Sequence, residues 1–221
     1  MKVSLKSITP NAEVNIVEIA RVSSSRTDKS ENPEGLINYL IKNKHWSPFQ
    51  HSYLTFEIET SKAIGIQLLR HLSFTFQEFS QRYAEVDKFE DIEFRLQAEK
   101  NRQSSVGIVC MWKDGEDSTF VEVTDDKYID FMFKIDKHLR ESKALYKEAL
   151  SLGIAKECAR MILPMTTQTT IYMTGSVRSW IHFLDIRDDV HSQLEAQRVA
   201  KAIKEIFVKE LPIISKALNY Q

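Results

Sequence analysis

Two cysteines, Cys110 and Cys158, are all that 221 residues contain. They are too few for a disulfide framework and too far apart for a Cys-x-x-Cys redox or zinc motif; both are expected as buried thiols. Neither sign of charge is in excess, with 30 Lys and Arg against 31 Asp and Glu. That balance argues against an overall basic field for nucleic acid and against an acidic disordered tail. No apolar run approaches the roughly 18 residues needed to span a membrane, and the opening MKVSLKSITP lacks the apolar core of a secretory signal, so a soluble, cytoplasmic protein is expected. The six glycines, at 35, 65, 107, 115, 153 and 175, are too dispersed for G-x-G-x-x-G or a P-loop. His-Glu-x-x-His is missing, and the histidines at 45, 51, 71, 138, 182 and 191 lack metal-ligand spacing, so no catalytic metal is expected. Function must therefore come from local clusters.

What is present is a chain long enough to bury a sizeable core, without internal repeats or low-complexity linkers. A single α+β domain over residues 1–221 is expected, with a central antiparallel sheet flanked by helices. Apolar and polar residues alternate over 2–8 and again from Tyr53 to Glu59, where Leu54, Phe56 and Ile58 share a face; both read as strands. Asn11 to Arg21 has helical spacing, and Ser23 to Asn32 is a polar loop. Asn32 and Pro33 open a helix ending near Asn43. Pro48 should push Ser47 out of helical geometry and leave HWSPFQH, His45 to His51, as a connection with exposed side chains. Thr60 or Ser61 caps a helix running to about His71. A strand is expected at Glu93 to Gln97, followed by a polar loop at Arg102 to Ser105, an apolar run from Val106 to Trp112 to which the sequence assigns no element, and a Lys-Asp-Gly-Glu-Asp turn.

Thr124 then caps the longest helix, striped by Tyr128, Phe131, Ile135, Leu139, Tyr146 and Leu150 and stopped by Gly153. Ile154 to Leu163 is expected as a helix ended by Pro164, and Thr167 to Met173 as a strand. Ser176 caps a helix that buries Val177, Trp180, Ile181 and Leu184 and exposes Arg178, His182 and Asp185. Further helices run from about Ser192 to Lys209 and from Pro212.

The stretch Gln67 to Tyr83, QLLRHLSFTFQEFSQRY, mixes two arginines, a histidine, a glutamate and amides with four aromatic residues. Neither a plain core helix nor a solvated loop calls for that mixture. Arg70, Arg82, Arg160, Arg178 and Arg187 each sit beside apolar or aromatic residues. A guanidinium stays charged when desolvated and binds phosphate bidentately, so arginines converging on one cavity make an anion site. Taken singly, each also reads as an ordinary surface or salt-bridged arginine.

The order Arg70-His71-Leu72, seven residues, Ser80, Gln81, Arg82-Tyr83 resembles the signature of the flavin-dependent thymidylate synthases, which has Arg-His-Arg at its start. HWSPFQH, the ECARMILP segment around Arg160, and Arg187 within DIRDDVHSQLEAQ resemble further motifs of that family in the same order. The resemblance covers most of the chain, from about Ala20 to Gln197. It implies a homotetramer with active sites at subunit interfaces, bound FAD, and reductive methylation of dUMP to dTMP. Methylenetetrahydrofolate is the implied carbon donor and NADPH the reductant.

Carried over by position, the resemblance implies flavin contacts from His45, Ser47, Arg70, His71, Leu72, Glu78, Ser176, Arg178 and His182, with Trp46 beside the flavin or folate rings. It implies a dUMP site of Gln67, Arg70, Glu78, Phe79, Ser80, Gln81, Arg82, Arg160 and Arg187. Among these, Arg82 and Arg160 suit the nucleotide phosphate. Arg187 suits the uracil edge, where it would stabilise charge as the catalytic residue. Ser80 lacks an evident base and is not expected to be a nucleophile. Leu72 stands where the family has its second arginine, which removes one cation from the flavin region; Lys44 is a candidate replacement. Two other readings remain open: a family member that has lost flavin and catalysis, and a non-catalytic nucleotide- or RNA-binding module using Phe74, Phe76, Phe79, Arg82 and Tyr83.

Overall fold

The structure, a computed structural model, describes residues 1–23, 33–101, 104–115 and 124–220. The expected loop at 24–32, the Asn32 cap, residues 102–103 and the acidic end of the turn after Gly115 lie outside the described residues. In chain order the elements are β1 (Lys2–Ile8), α1 (Ala12–Ala20), α2 (Glu34–Lys42), β2 (Tyr53–Ser61), α3 (Lys62–Leu68), β3 (Thr75–Glu78), β4 (Ile92–Gln97) and β5 (Ser105–Trp112). There follow α4 (Ile129–Ser151), α5 (Lys156–Ala159), β6 (Gln168–Ser176), α6 (Val177–Arg187), α7 (Leu194–Glu210) and α8 (Pro212–Ala217). Strands β1, β2, β6 and β3 are hydrogen-bonded in that order, and β4 and β5 form a separate antiparallel pair. No helix among the described residues is long and apolar enough to cross a membrane.

The chain gathers into two compact units. One comprises residues 2–58, 67–77 and 171–221. Its core follows the alternation expected of half-buried strands: Leu54, Phe56 and Ile58 of β2 and Ile171 and Met173 of β6 are fully buried. Aromatic rings continue that core, with Trp180 of α6 edge-on to Phe56 at 4.8 Å and to Phe74 at 4.6 Å. The Trp180 indole N–H donates to the Leu54 carbonyl at 3.1 Å, so the buried ring leaves no orphaned donor. Ser176 caps α6 as expected, its hydroxyl accepting from the Ser179 N–H.

The second unit comprises Met1 and residues 59–66 and 78–170. Here the β4–β5 hairpin lays Val109, Cys110 and Trp112 against Met132 and Leu139 of α4, and Val86, Tyr146, Ala149 and Ala159 form a second cluster. Gly153 follows α4 at φ +79°, the left-handed conformation that a Cβ would disfavour.

Several local expectations are corrected. Ser47 is helical (φ −59°, ψ −39°) despite the following proline, because it opens a 3-10 turn, Pro48–Gln50. Phe49 in that turn is fully buried. Burying a phenylalanine is worth roughly 1.5–3 kcal/mol, enough to offset a disfavoured pre-proline angle. Helix α3 stops at Leu68, and Arg70 and His71 sit on consecutive turns closed by His71 N–H to Leu68 O and Phe74 N–H to His71 O. Burial of Phe74 draws the chain away from the helix axis. Thr124 does not cap α4, since both its N–H and its hydroxyl donate to the Val109 carbonyl. Asp125 instead accepts from the Lys127 N–H and starts a 3-10 turn leading into the helix.

The buried stripe of α4 is Met132, Leu139, Ser142, Tyr146 and Ala149, leaving Phe131 exposed against Phe94. The expected helix from Ile154 is the four-residue α5 followed by a 3-10 turn, Arg160–Ile162. Cys110 is buried, but Cys158 is exposed: so short a helix packs one face, and Ala159 occupies it.

Candidate active site

In the first unit the end of α3 and the turn after it bring two expected residues, Gln67 and His71, to a third, Arg187, at the end of α6. Arg187 donates from Nε to His71 Nε2 at 2.9 Å and from Nη2 to the Gln67 carbonyl at 3.1 Å. The Gln67 side chain donates to Gln193 Oε1 at 2.6 Å. An imidazole nitrogen that accepts from a guanidinium must be unprotonated. Burial, reinforced by the charges of Arg187 and His182, pushes the His71 pKa down from 6.5 to about 4. Burial, then the neighbouring Arg70, lowers that of Arg187 as well, although a guanidinium remains charged. The His71 ring is itself wedged by Phe183 at 5.0 Å and Phe74 at 6.3 Å. Arg70 is exposed, and Leu72 is 94% exposed at the tip of the turn.

Phe74 reaches its place because residue 175 is glycine. A Cβ there would lie 2.4 Å from two atoms of the Phe74 ring, far inside van der Waals contact. Glycine at 175 thus fixes the turn that carries His71.

Beside this cluster, in the same unit, lies a groove of about 450 Å³ whose walls include Trp46, Gln50, Ser73, Arg178, His182 and Asp185. Helical spacing places Arg178, His182 and Asp185 on the outer face of α6, as the sequence predicts. Among the described residues Arg178 has no hydrogen-bond or ion-pair partner, which leaves its donors for a ligand. The groove thus offers an aromatic ring, two cationic or basic side chains and one carboxylate. Ser176, buried beneath the helix, spends its hydroxyl on the cap and on Ser179. His45 packs edge-on to Tyr39 at 5.8 Å, and Ser47 is exposed.

In the second unit Glu78 is held at one oxygen: Lys62 Nζ donates to Oε1 at 2.7 Å and Thr169 Oγ1 to the same atom at 2.9 Å. Its other oxygen, Oε2, has no partner among the described residues. The Phe79 N–H donates to the Thr170 carbonyl at 2.8 Å. Ser80 Oγ accepts from the Arg82 N–H at 3.4 Å, and no base is bonded to it among the described residues. Gln81 is 8% exposed, and its Nε2 is buried without a partner.

Arg82 and Arg160 meet in a shallow pocket of about 510 Å³ with Glu157, Cys158 and Met161. Arg82 Nε pairs with the Glu157 carboxylate at 3.1 Å, and Arg160 Nε donates to the Glu157 carbonyl at 3.3 Å. Both partners of the first pair are about half exposed, so it is worth at most about 1 kcal/mol and yields readily to a competing dianion.

Residues missed in the sequence are those whose role depends on a distant partner. Lys62 and Thr169 carry no motif, and only the fold brings them to Glu78. Gln193 was a helix-start residue with nothing to mark it, and Gln50 lay in a segment read through its histidines. Among the described residues, no group of three or more His, Cys, Asp or Glu is placed to hold a metal ion.

A family model described as thymidylate synthase complementing protein matches residues 4–213. A relative from Paramecium bursaria Chlorella virus 1, described as a probable flavin-dependent thymidylate synthase, is 43% identical over 95% of this chain and 91% of its own. The flavin-dependent thymidylate synthase of Synechocystis is 42% identical over 93% of this chain and 88% of its own. The crystal structure of the UMP/dUMP methylase PolB from Streptomyces cacaoi, bound with 5-Br dUMP, is similar with a TM-score of 0.76 at 26% identity, covering 99% of this chain and 94% of that one. The chain belongs to the family of the flavin-dependent thymidylate synthases.

Proposed function

We propose that this protein is a flavin-dependent thymidylate synthase that methylates dUMP reductively to dTMP. One observation carries the reading within the family: Arg187 is anchored on a half-buried wall by neutral His71 and the Gln67 carbonyl. Its Nη1 has no partner among the described residues, so donors remain for the N3 and carbonyl edge of a uracil. Negative charge develops along that edge as C5 becomes nucleophilic, and a preorganised guanidinium stabilises it. Because His71 accepts and does not donate, it orients Arg187 without adding a second charge.

Arg82 and Arg160 suit the nucleotide monophosphate, a dianion that replaces the Glu157 carboxylate at Arg82. Gln67, Arg70, Phe79, Ser80 and the unpaired Gln81 amide complete the proposed dUMP contacts, with Glu78 available at its unbonded oxygen. No enzyme nucleophile is invoked. Ser80 has no base bonded to it among the described residues, and burial raises the Cys110 pKa.

FAD is the proposed cofactor, and the groove's composition fits it: Trp46 suits an aromatic ring, and Arg178 and His182 suit anionic phosphate. His45, Ser47, Ser176, Arg70 and His71 are the further proposed contacts, and exposed Leu72 contributes no charge. When bound, the flavin supplies the hydride and methylene chemistry. NADPH as reductant, methylenetetrahydrofolate as carbon donor, a homotetramer with interfacial sites, and a cytoplasmic setting complete the reading. The first three rest on the motif resemblance, and the last on the sequence having neither a signal-like opening nor a spanning apolar run. The single family model running from residue 4 to 213 supports treating the chain as one family domain.

The purified protein should be yellow, bleach on NADPH addition, and make dTMP from dUMP and methylenetetrahydrofolate. Arg187→Ala should lower kcat by about 100-fold or more, the usual loss for a charge-stabilising donor. A colourless protein that takes up no FAD and makes no dTMP would overturn the proposal.

A further inference from the structure

Asp185 lies on the outer face of α6, three residues beyond His182 and seven beyond Arg178, and it forms part of the groove wall. Its carboxylate does not pair with either basic neighbour among the described residues. Instead Oδ1 accepts a 2.7 Å hydrogen bond from the phenol of Tyr220, and Oδ2 has no partner among the described residues. Tyr220 belongs to the C-terminal tail, beyond the stretch 4–213 that the family model matches.

The tail is firmly seated within its unit. Leu211 and Ile214 are fully buried, and the Ile214 N–H donates to Glu13 Oε1 at 2.8 Å. The Tyr220 N–H donates to the Ser215 carbonyl at 2.9 Å. Its ring meets Phe207 edge-on at 6.2 Å and carries Lys204 Nζ 4.7 Å from its centroid. Lys204 is tied in turn to Asp188 at 2.8 Å. Burial and Asp185 together raise the Tyr220 pKa well above its usual value, so the phenol remains a donor at any working pH.

We infer that Tyr220 is a positioning residue: it fixes the Asp185 carboxylate at the groove wall with Oδ2 turned to accept from ligand hydroxyls. This rests on the reading that the groove holds FAD. A dinucleotide presents what such a wall recognises, phosphate anions for Arg178 and sugar hydroxyls for a carboxylate. With one oxygen already fixed by an internal donor, the carboxylate loses less conformational freedom on binding.

The test is a double-mutant cycle on the full-length protein, freed of flavin and titrated with FAD. Tyr220→Phe keeps the ring and removes the donor; Asp185→Asn, at an exposed position, removes the charge. Each should weaken FAD binding by about fivefold, the scale of one hydrogen bond, and the double variant should be no worse than Asp185→Asn alone. The KM for dUMP at saturating FAD should stay within about twofold, because phosphate and uracil contacts are untouched. Unchanged FAD affinity in Tyr220→Phe, fully additive losses, or an equal rise in dUMP KM overturns the inference. Failure of the wild-type protein to bind FAD sinks the groove assignment itself, and the inference with it.

Discussion

A histidine that accepts a hydrogen bond from an arginine has to stay neutral, and His71 is built for that state. Its pKa in the folded chain is about 4, against 6.5 without the surrounding structure. Between those values the unfolded chain binds a proton that the folded chain refuses, so stability rises with pH across the window and is lost on acidification. One unit corresponds to about 1.4 kcal/mol; because the ring is only half-buried, solvent screening reduces the total to on the order of 2 kcal/mol. Glutamine at this position keeps an acceptor for Arg187 Nε but cannot be protonated. His71→Gln should therefore flatten the rise of urea-unfolding stability between about pH 4 and 6.5. An acid limb as steep as in the wild type would show that His71 does not set it.

At the scale of elements, the junction of β6 with the turn before β3 is tightly constrained. Gly175→Ala should cost about 1–3 kcal/mol, the range for overpacking a filled core, because the Phe74 ring has Trp180 and Phe183 behind it. Adding Phe74→Leu should recover part of that loss in urea midpoints; strict additivity would mean that the contact is not what matters. Strands β1 and β2 and helix α6 were legible in the sequence through their apolar spacing, β6 through its content of Thr, Ile and Tyr, and the end of α7 through the following Pro212. Ser47, Thr124 and the end of α3 were not, because each is decided by tertiary packing or a distant acceptor: the burial of Phe49, the Val109 carbonyl and the burial of Phe74. The site divides in the same way. Motif spacing singled out His71 and Arg187, but a hydrogen bond across 116 positions leaves no periodic trace. Cys158 was misread for a related reason, since a thiol's average burial says nothing about which side of a one-turn helix faces the core.

For the whole molecule, the proposed homotetramer predicts a solution mass of about 103 kDa, four times the 25.7 kDa chain, measured by light scattering. Met161 and Leu152 are 81% and 72% exposed. Leu152→Glu should shift the mass downward if that surface is covered by another copy; a 25.7 kDa wild-type mass would end the tetramer reading. The hairpin of β4 and β5 bears on assembly in the opposite sense. Its pairing slips twice, between Phe94 and Arg95 and between Arg95 and Leu96, and such bulges twist and bend a strand. A bent strand offers another chain no straight row of amides to copy. The irregularity at Arg95 is thus expected to hinder edge-to-edge pairing of one copy with another.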